Sequence, residues 1–324
     1  MKAKFYIDGK DLFTAYGLFV ADGGYTGLIS FPTFKEFETN DWKESDGIDA
    51  DLTNPVLNTR DFSINFYCTD YFKTIDFIAF ISDLSYHEFY FSEIGCTRKL
   101  RLVSDQRKKI YKEMESFSLT FADDFPMLDY IYLPPIYDGL VPSQDSYEID
   151  GVPLLKYSVY LLDGSDAEIV KAPAVKKNLL VDISTKSGAM YNGKKVVYQK
   201  KDVALKCWMR CQNVETMWRN LNALVYDLIK LTEKTDEDGI SYKDAERCFY
   251  SEKYCEEYPC FYNGLKATKF QLLSGGRVWL EFTLTLTFTS FRINDVEFLL
   301  ASEDGELIVT EDGEFCIDLK DYAD

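Results

Sequence analysis

Alternation is the strongest pattern along this chain. In RVWLEFTLTLTFTSF (277–291), Val278, Leu280, Phe282, Leu284, Leu286 and Phe288 alternate with Glu281, Thr283, Thr285, Thr287 and Thr289. Period two marks a strand with one buried face, and this run outlasts the usual length of about five or six residues. A long antiparallel strand with one polar face suits a large sheet that is wet on one side. Shorter alternations occupy ESFSLTF (115–121), RDFSINFYC (60–68) and KDVALKCWM (201–209). Two stretches carry helical spacing instead. Val214, Met217, Trp218, Leu221, Leu224, Val225 and Leu228 share one face behind Asn213, an expected N-cap. Tyr71, Ile75, Ile78, Ile81 and Leu84 form the matching stripe behind Asp70. Both stripes read as core faces.

These elements occur twice, in the same order. YGLFVADGGYTGLISFPTFK (16–35) is echoed 141 residues later by YSVYLLDGSDAEIVKAPAVK (157–176). Each is an apolar run broken by Asp-Gly, then a second apolar run and a Pro three residues before a Lys. The offset continues without a gap: Asp41 pairs with Asp182, Gly47 with Gly188, Val56 with Val197, and Asp61 with Asp202. Each half therefore reads as strand, hairpin-like Asp-Gly turn, strand, long loop, strand, helix and further strands. The expected division is a first domain over 1–122, a Pro-, Gly- and Asp-rich linker over 123–153 and a second domain over 154–294. The second domain carries an insertion at about 230–264. An EF-hand in that insertion fails, because counting back from Gly239 puts Lys234 where the first Asp belongs. The tail over 295–324 holds EDGELIVT and EDGEFCID in tandem, read equally as a solvated acidic β-hairpin or as an edge strand lent to a neighbour.

Composition narrows the class. Hydrophobic residues make up 46% and aromatic residues 16% of the 324, which excludes a largely disordered chain. MKAKFYIDGKDLF meets polar residues too soon for a signal peptide, and no apolar run approaches the roughly 20 residues of a membrane helix. Synthesis in the cytoplasm without membrane insertion is the expectation. A formal charge of −18 argues against gripping nucleic acid, which needs clustered Lys and Arg, and favours solubility. The eight cysteines lack zinc-knuckle spacing, and the single histidine, His87, lies far from most of them, so free thiols are expected and no metal.

Catalysis finds no foothold. His87 sits among aromatics in LSYHEFYF and reads as structural. No nucleophile elbow, P-loop or dinucleotide fingerprint occurs, and no spacing selects a glycosidase pair from the many carboxylates. No catalytic residue, cofactor or small-molecule substrate is expected. The halves differ in one respect. After Pro-x-x-Lys the first half continues acidic, with Glu36, Glu38, Asp41, Glu44, Asp46, Asp49 and Asp51. The second continues basic, with Lys177, Lys186, Lys194, Lys195, Lys200 and Lys201. Loops of opposite sign at equivalent places are candidate assembly contacts meeting head to tail; two solvated loops that drifted apart fit the same residues.

A β-sandwich or partial barrel flanked by one helix, used twice in a chain, resembles the tail-tube fold of phage tails and related injection machines. The opening MKAKFYIDGKDLFTAYGLFV is similar to the start of siphophage distal tail proteins, and EDGELIVTEDGEFCI is similar in style to tails of phage structural proteins. The resemblance covers roughly 1–121 and 157–291. It implies a mainly β (β + α) fold of two tandem tail-tube-like domains. It also implies a structural role at the tail tip, as distal tail or baseplate hub protein. Its partners would be other tail proteins and itself, in a trimeric or hexameric ring through which DNA passes without specific binding. The expected place is the virion tail after synthesis in the bacterial cytoplasm, with acidic residues on the channel wall. A second tube-like copy departs from distal tail proteins and is similar to the hubs of contractile tails. Two other classes stay open on the residues: a carbohydrate- or surface-binding β-sandwich module, and a carboxylate-based glycan hydrolase.

Overall fold

The computed structural model describes residues 5–21, 24–111, 114–177, 180–191, 196–235 and 239–291, with the backbone alone at 71, 105–111 and 191. The tandem acidic tail and both Lys194 and Lys195 lie outside the described residues. The chain is mainly β. Its first half runs β1 (Phe5–Ile7), β2 (Lys10–Asp11), α1 (Leu12–Tyr16), β3 (Leu18–Val20), α2 (Thr26–Ile29), β4 (Thr39–Asn40), β5 (Asp49–Ala50), β6 (Arg60–Cys68), α3 (Tyr71–Ile81), β7 (His87–Phe91), β8 (Cys96–Tyr111) and β9 (Met114–Asp123). The second half runs β10 (Tyr147–Ile149), β11 (Val152–Pro153), a 3-10 turn, β12 (Val159–Leu161), α4 (Ser165–Val170), β13 (Leu180–Asp182), β14 (Ala189–Tyr191) and β15 (Lys201–Cys211). It continues with α5 (Val214–Ile229), β16 (Thr232–Thr235), β17 (Ser241–Asp244), β18 (Arg247–Ser251), β19 (Glu256–Leu272) and β20 (Val278–Phe288).

Two seven-stranded sheets result, in the orders β2-β1-β7-β8-β9-β6-β3 and β11-β10-β18-β19-β20-β15-β12. Position for position the orders are the same. The two sheets pack into one unit ending at Phe291. The alternation seen in the sequence has its cause here: Phe62, Ile64 and Phe66 of β6 and Val203, Leu205 and Cys207 of β15 are buried, while their neighbours face out. The buried faces are covered by α3 and α5, whose N-caps are Asp70 and Asn213, accepting from Phe72 N and Thr216 N.

The turn at the start of each sheet repeats in detail. Asp8-Gly9 and Asp150-Gly151 are two-residue hairpin loops with φ of 49° and 77°, and of 50° and 74°. Positive φ at both central residues gives the turn whose twist matches its strands, and Asp-Gly is suited to it. Each aspartate then ties its hairpin to the next strand. Asp8 accepts from Glu88 N (2.9 Å) and meets His87 Nδ1 (2.5 Å); Asp150 accepts from Cys248 N (2.8 Å) and Arg247 Nη1 (3.1 Å). His87 is buried as a structural residue, its Nε2 against Ile81 O. Burial alone would raise the Asp8 carboxyl, but the His87 and Glu88 bonds hold it below its usual range.

Several expectations are corrected. After Asp-Gly at 163–164 the chain enters a helix, α4, not a second strand, with Ser165 and Ile169 its buried residues at helical spacing. The corresponding run in the first half holds α2. The long loops contain the small hairpins β4–β5 and β13–β14. In α3 the inward face is Thr74, Phe77 and Ile81, while Ile75 is 62% exposed, because the bulky Phe77 ring sets the phase against Phe66 and Phe117. Of the apparent linker, Tyr147–Pro153 is β10 and β11 of the second sheet. The rest is pinned along α5: Ile136 N donates to Asn220 Oδ1, Asn220 Nδ2 returns to Ile136 O, and Arg219 Nε reaches Pro134 O. Of the apparent insertion, only the β16–β17 hairpin lacks a counterpart, since β18 and β19 correspond to β7 and β8.

Candidate assembly interface

Two equivalent stretches build the contact between the halves. Beyond α2, Phe34 bridges Leu57; beyond α4, Val175 bridges Tyr198. The bonds are the same one repeat apart. Lys35 N donates to Val56 O and Lys176 N to Val197 O, both at 2.7 Å; Asn58 N reaches Thr33 O and Gln199 N reaches Ala174 O, both at 2.8 Å. Neighbouring residues of an extended segment face opposite ways. Phe34 and Val175 therefore point one way, and Lys35 and Lys176 the other.

Within the chain the two directions meet. Phe34 is 7% exposed because it packs on the Tyr262 ring of β19, and Phe37 packs on Phe261. From the opposite side the loop between β4 and β5 closes over Lys176, whose Nζ donates to Trp42 O and Ser45 O at 2.9 Å and to Gly47 O at 2.6 Å. Asp41 adds its carboxylate at 2.5 Å. The fit is close. Gly47 N donates to Tyr198 O and Ile48 N to Thr289 O, both at 2.9 Å, and Tyr198 N donates to Asp46 Oδ1 at 2.7 Å. Gly47 has φ 68°, and a Cβ there would lie 1.5 Å from Thr289 O.

A second line of contact follows the edge of β19. Strand β18 covers β19 only as far as Cys260. Beyond it, Phe31 and Leu265 exchange backbone bonds (2.7 and 3.2 Å), and Ser30 Oγ accepts from Ala267 N. At the far side Trp218 Nε1 donates to Ile94 O at 2.6 Å beneath the Arg98 guanidinium. Arg60 and Arg98 share buried Asp123 at 3.6 and 3.7 Å, and burial pushes Arg60 down to about 10 despite that carboxylate.

Of the charged residues singled out in the sequence, Asp41 and Asp46 take part in this contact. Asp49 accepts from Trp42 Nε1 and Asp51 from Thr53, both within the first hairpin's surroundings. The Thr53 bonds hold Asp51 below its usual range. Glu36, Glu38, Glu44, Lys177, Lys186 and Lys200 are exposed. Lys201 is buried, its Nζ donating to Ile169 O and lying over the Phe291 ring. The lysine that meets the acidic loop is Lys176, the last residue of the repeated Pro-x-x-Lys. The spacing marked it, but it stood just before the basic run and was not among the candidates.

The exposed faces of the two sheets carry hydroxyls: Ser63, Ser116, Ser118 and Thr120 in one, Thr283 and Thr285 in the other. Charges there are mixed, Asp61, Asp202 and Glu281 beside Arg101, Lys206, Arg210, Lys266 and Lys269. Among the described side chains these faces carry no acidic excess. Among the described residues no group of three or more His, Cys, Asp or Glu is set to hold a metal, and the seven described cysteines are free thiols. Burial pushes Cys207 and Cys211 up to about 12, far from thiolate chemistry. Among the described residues no helix is long and apolar enough to cross a membrane.

No family model matches this chain, and no curated protein matches it. Among solved structures three chains match. One is the Dit (gp 19.1) protein of phage SPP1, described as a paradigm of the hub adsorption apparatus in phages that infect Gram-positive bacteria. It is 12% identical with a TM-score of 0.28, and the alignment covers 88% of this chain and 98% of that one.

Proposed function

We propose that this chain is a structural component of a phage or prophage tail tip, a distal tail or hub protein that forms a ring around the DNA channel. One observation carries the reading. Two halves of identical strand order meet through the segment after α2 and the β4–β5 hairpin of one, seated on β19 and Lys176 of the other. We read this as one step of a ring, written within a single chain by duplication of a domain. Three chains would then present six equivalent units, which suits a six-fold tube. The net charge of −18 supports passage of DNA, since like-charge repulsion keeps the strand from being gripped. Partners on this reading are other tail proteins, and the location is the virion tail.

The test is particle imaging of the full-length chain, alone and mixed with the tube protein of the same virus. Closed rings with a central channel are expected. Monomers or open aggregates at high concentration and beside the tube protein would refute the reading. A second reading, a carbohydrate-binding module, draws on Tyr160, Trp208 and Trp279, which cluster on the outer face of the second sheet with Trp208 and Trp279 centred 4.7 Å apart. Glycan-array binding that disappears in Trp279→Ala would favour it.

A further inference from the structure

The contact between the halves has two sides, and each half carries both. Among the described residues one pairing is satisfied within the chain: the first half's hairpin on the second half's lysine. The second half's hairpin and the first half's lysine are left over. Lys35, the counterpart of Lys176, is exposed, whereas Lys176 is 2% exposed. Val175, the counterpart of Phe34, is 42% exposed, whereas Phe34 is 7%. Gly188, the counterpart of Gly47, keeps the same left-handed backbone at φ 82°, yet nothing lies within 4 Å of where its Cβ would be.

We propose that the β13–β14 hairpin of one chain docks on Lys35 of a second copy. This repeats between chains the contact that β4–β5 makes on Lys176 within the chain. Asp182 stands where Asp41 stands, so Asp182 of one copy would pair with Lys35 of the next, and the backbone carbonyls up to Gly188 would close over that ammonium. The left-handed glycine is already in the conformation the seat requires. The hairpin is also apolar for a solvated one: Leu180, Val181, Ile183 and Met190 are all exposed. The receiving edge is present as well. Strand β7 covers β8 only as far as Leu100, just as β18 covers β19 only to Cys260. The stretch of β8 beyond Leu100 is where Ala172 of the next copy, the counterpart of Phe31, would lie. The contact is heterologous, so each copy offers one hairpin and one lysine, and association continues until it closes on itself.

The joint rests on the repeat within this chain; only its closure into a ring rests on the tail reading. The test separates the two. Full-length chain is mixed with an isotope-labelled batch and treated with a zero-length carbodiimide, which joins a lysine to a carboxylate only when they touch. Mass spectrometry should find Lys176–Asp41 within single chains and Lys35–Asp182 between chains, the latter in mixed-isotope form at the frequency of random mixing. Lys35→Glu should weaken self-association about tenfold or more, and so should Asp182→Lys. The double variant Lys35→Glu with Asp182→Lys should restore it. Rings that form without the Lys35–Asp182 product, or that ignore these substitutions, overturn the joint and leave the ring standing. Chains that stay monomeric up to their solubility limit overturn the joint as well. A cross-linked, swap-sensitive assembly that is not a ring upholds the joint and refutes the tail reading.

Discussion

Gly47 and Gly188 hold the same place in the two halves and have nearly the same backbone, φ 68° and 82°. Substituting each by alanine therefore asks what the surroundings add. Both variants carry the strain of a left-handed L-residue, about 1–2 kcal/mol. For Gly188→Ala in the monomer nothing more is lost, because the new methyl meets no atom within 4 Å. For Gly47→Ala the methyl would lie 1.5 Å from Thr289 O, a backbone atom with no way to swing aside. The cheaper course is for the hairpin to lift off its seat.

Lifting breaks the bonds Gly47 N to Tyr198 O and Ile48 N to Thr289 O, each worth about 1 kcal/mol net. It also strips Lys176 Nζ of the Trp42, Ser45 and Gly47 carbonyls, a charge-assisted set worth about 1.5–3 kcal/mol once the ammonium finds water. Gly47→Ala should thus cost about 4–7 kcal/mol against about 1–2 for Gly188→Ala. Urea unfolding below the concentration at which chains associate measures both. Hydrogen exchange supplies the local readout, since the Ile48 amide should lose its protection in Gly47→Ala alone. Equal destabilisation by the two substitutions, or an Ile48 amide still protected in Gly47→Ala, would refute the account of the seat.

Asn220 is fully buried and clamps Ile136 with both ends of its amide. Asn220→Ala should cost about 2–3 kcal/mol and open the 125–146 stretch to limited proteolysis while the sheets stay intact. Arg247 is buried and donates to Asp150 and to Thr232 Oγ1, so Arg247→Ala should cost about 1.5–3 kcal/mol through the lost charge-assisted bonds; calorimetry of the variant is the check. Burial lowers Lys201 from 10.5 to about 8. The unfolded chain then binds more protons between those values, so this group makes stability rise as pH climbs from about 8 to 10.5. Lys201→Met should flatten that part of the melting-temperature profile. The Asp8 carboxyl is held below its ordinary 3.8, so its contribution is present above that value and lost as pH falls through the folded one. Asp8→Asn should remove this acid-side loss and weaken the hold on His87.

The chain's own pattern determined the kind of protein this is. Period-two alternation forced one-sided sheets, because every second side chain in β6, β9, β15 and β20 must leave water. The repeat of Asp-Gly, Pro-x-x-Lys and Asp-to-Gly spacing marked two equivalent halves before any strand was paired. The strands β8 and β19 and the short β1 and β10 were not legible. Their pairing partners lie far along the chain, and β10 was hidden in a stretch whose Pro and Gly look like a linker. Helices α2 and α4 were missed because a few apolar residues after a glycine fit either period.

Only the tertiary structure decided which charges act. Seven acidic and six basic residues stood out in the loops, yet among the described residues the ion pair between the halves that involves one of them is Asp41 with Lys176. That choice depends on which face of the Pro-x-x-Lys segment turns toward the other half, a consequence of how the β4–β5 loop of the first half seats on the second. Sequence alone made Lys35 and Lys176 equals. Folding buried one and left the other exposed, because the loop between β4 and β5 closes over Lys176 and not over Lys35.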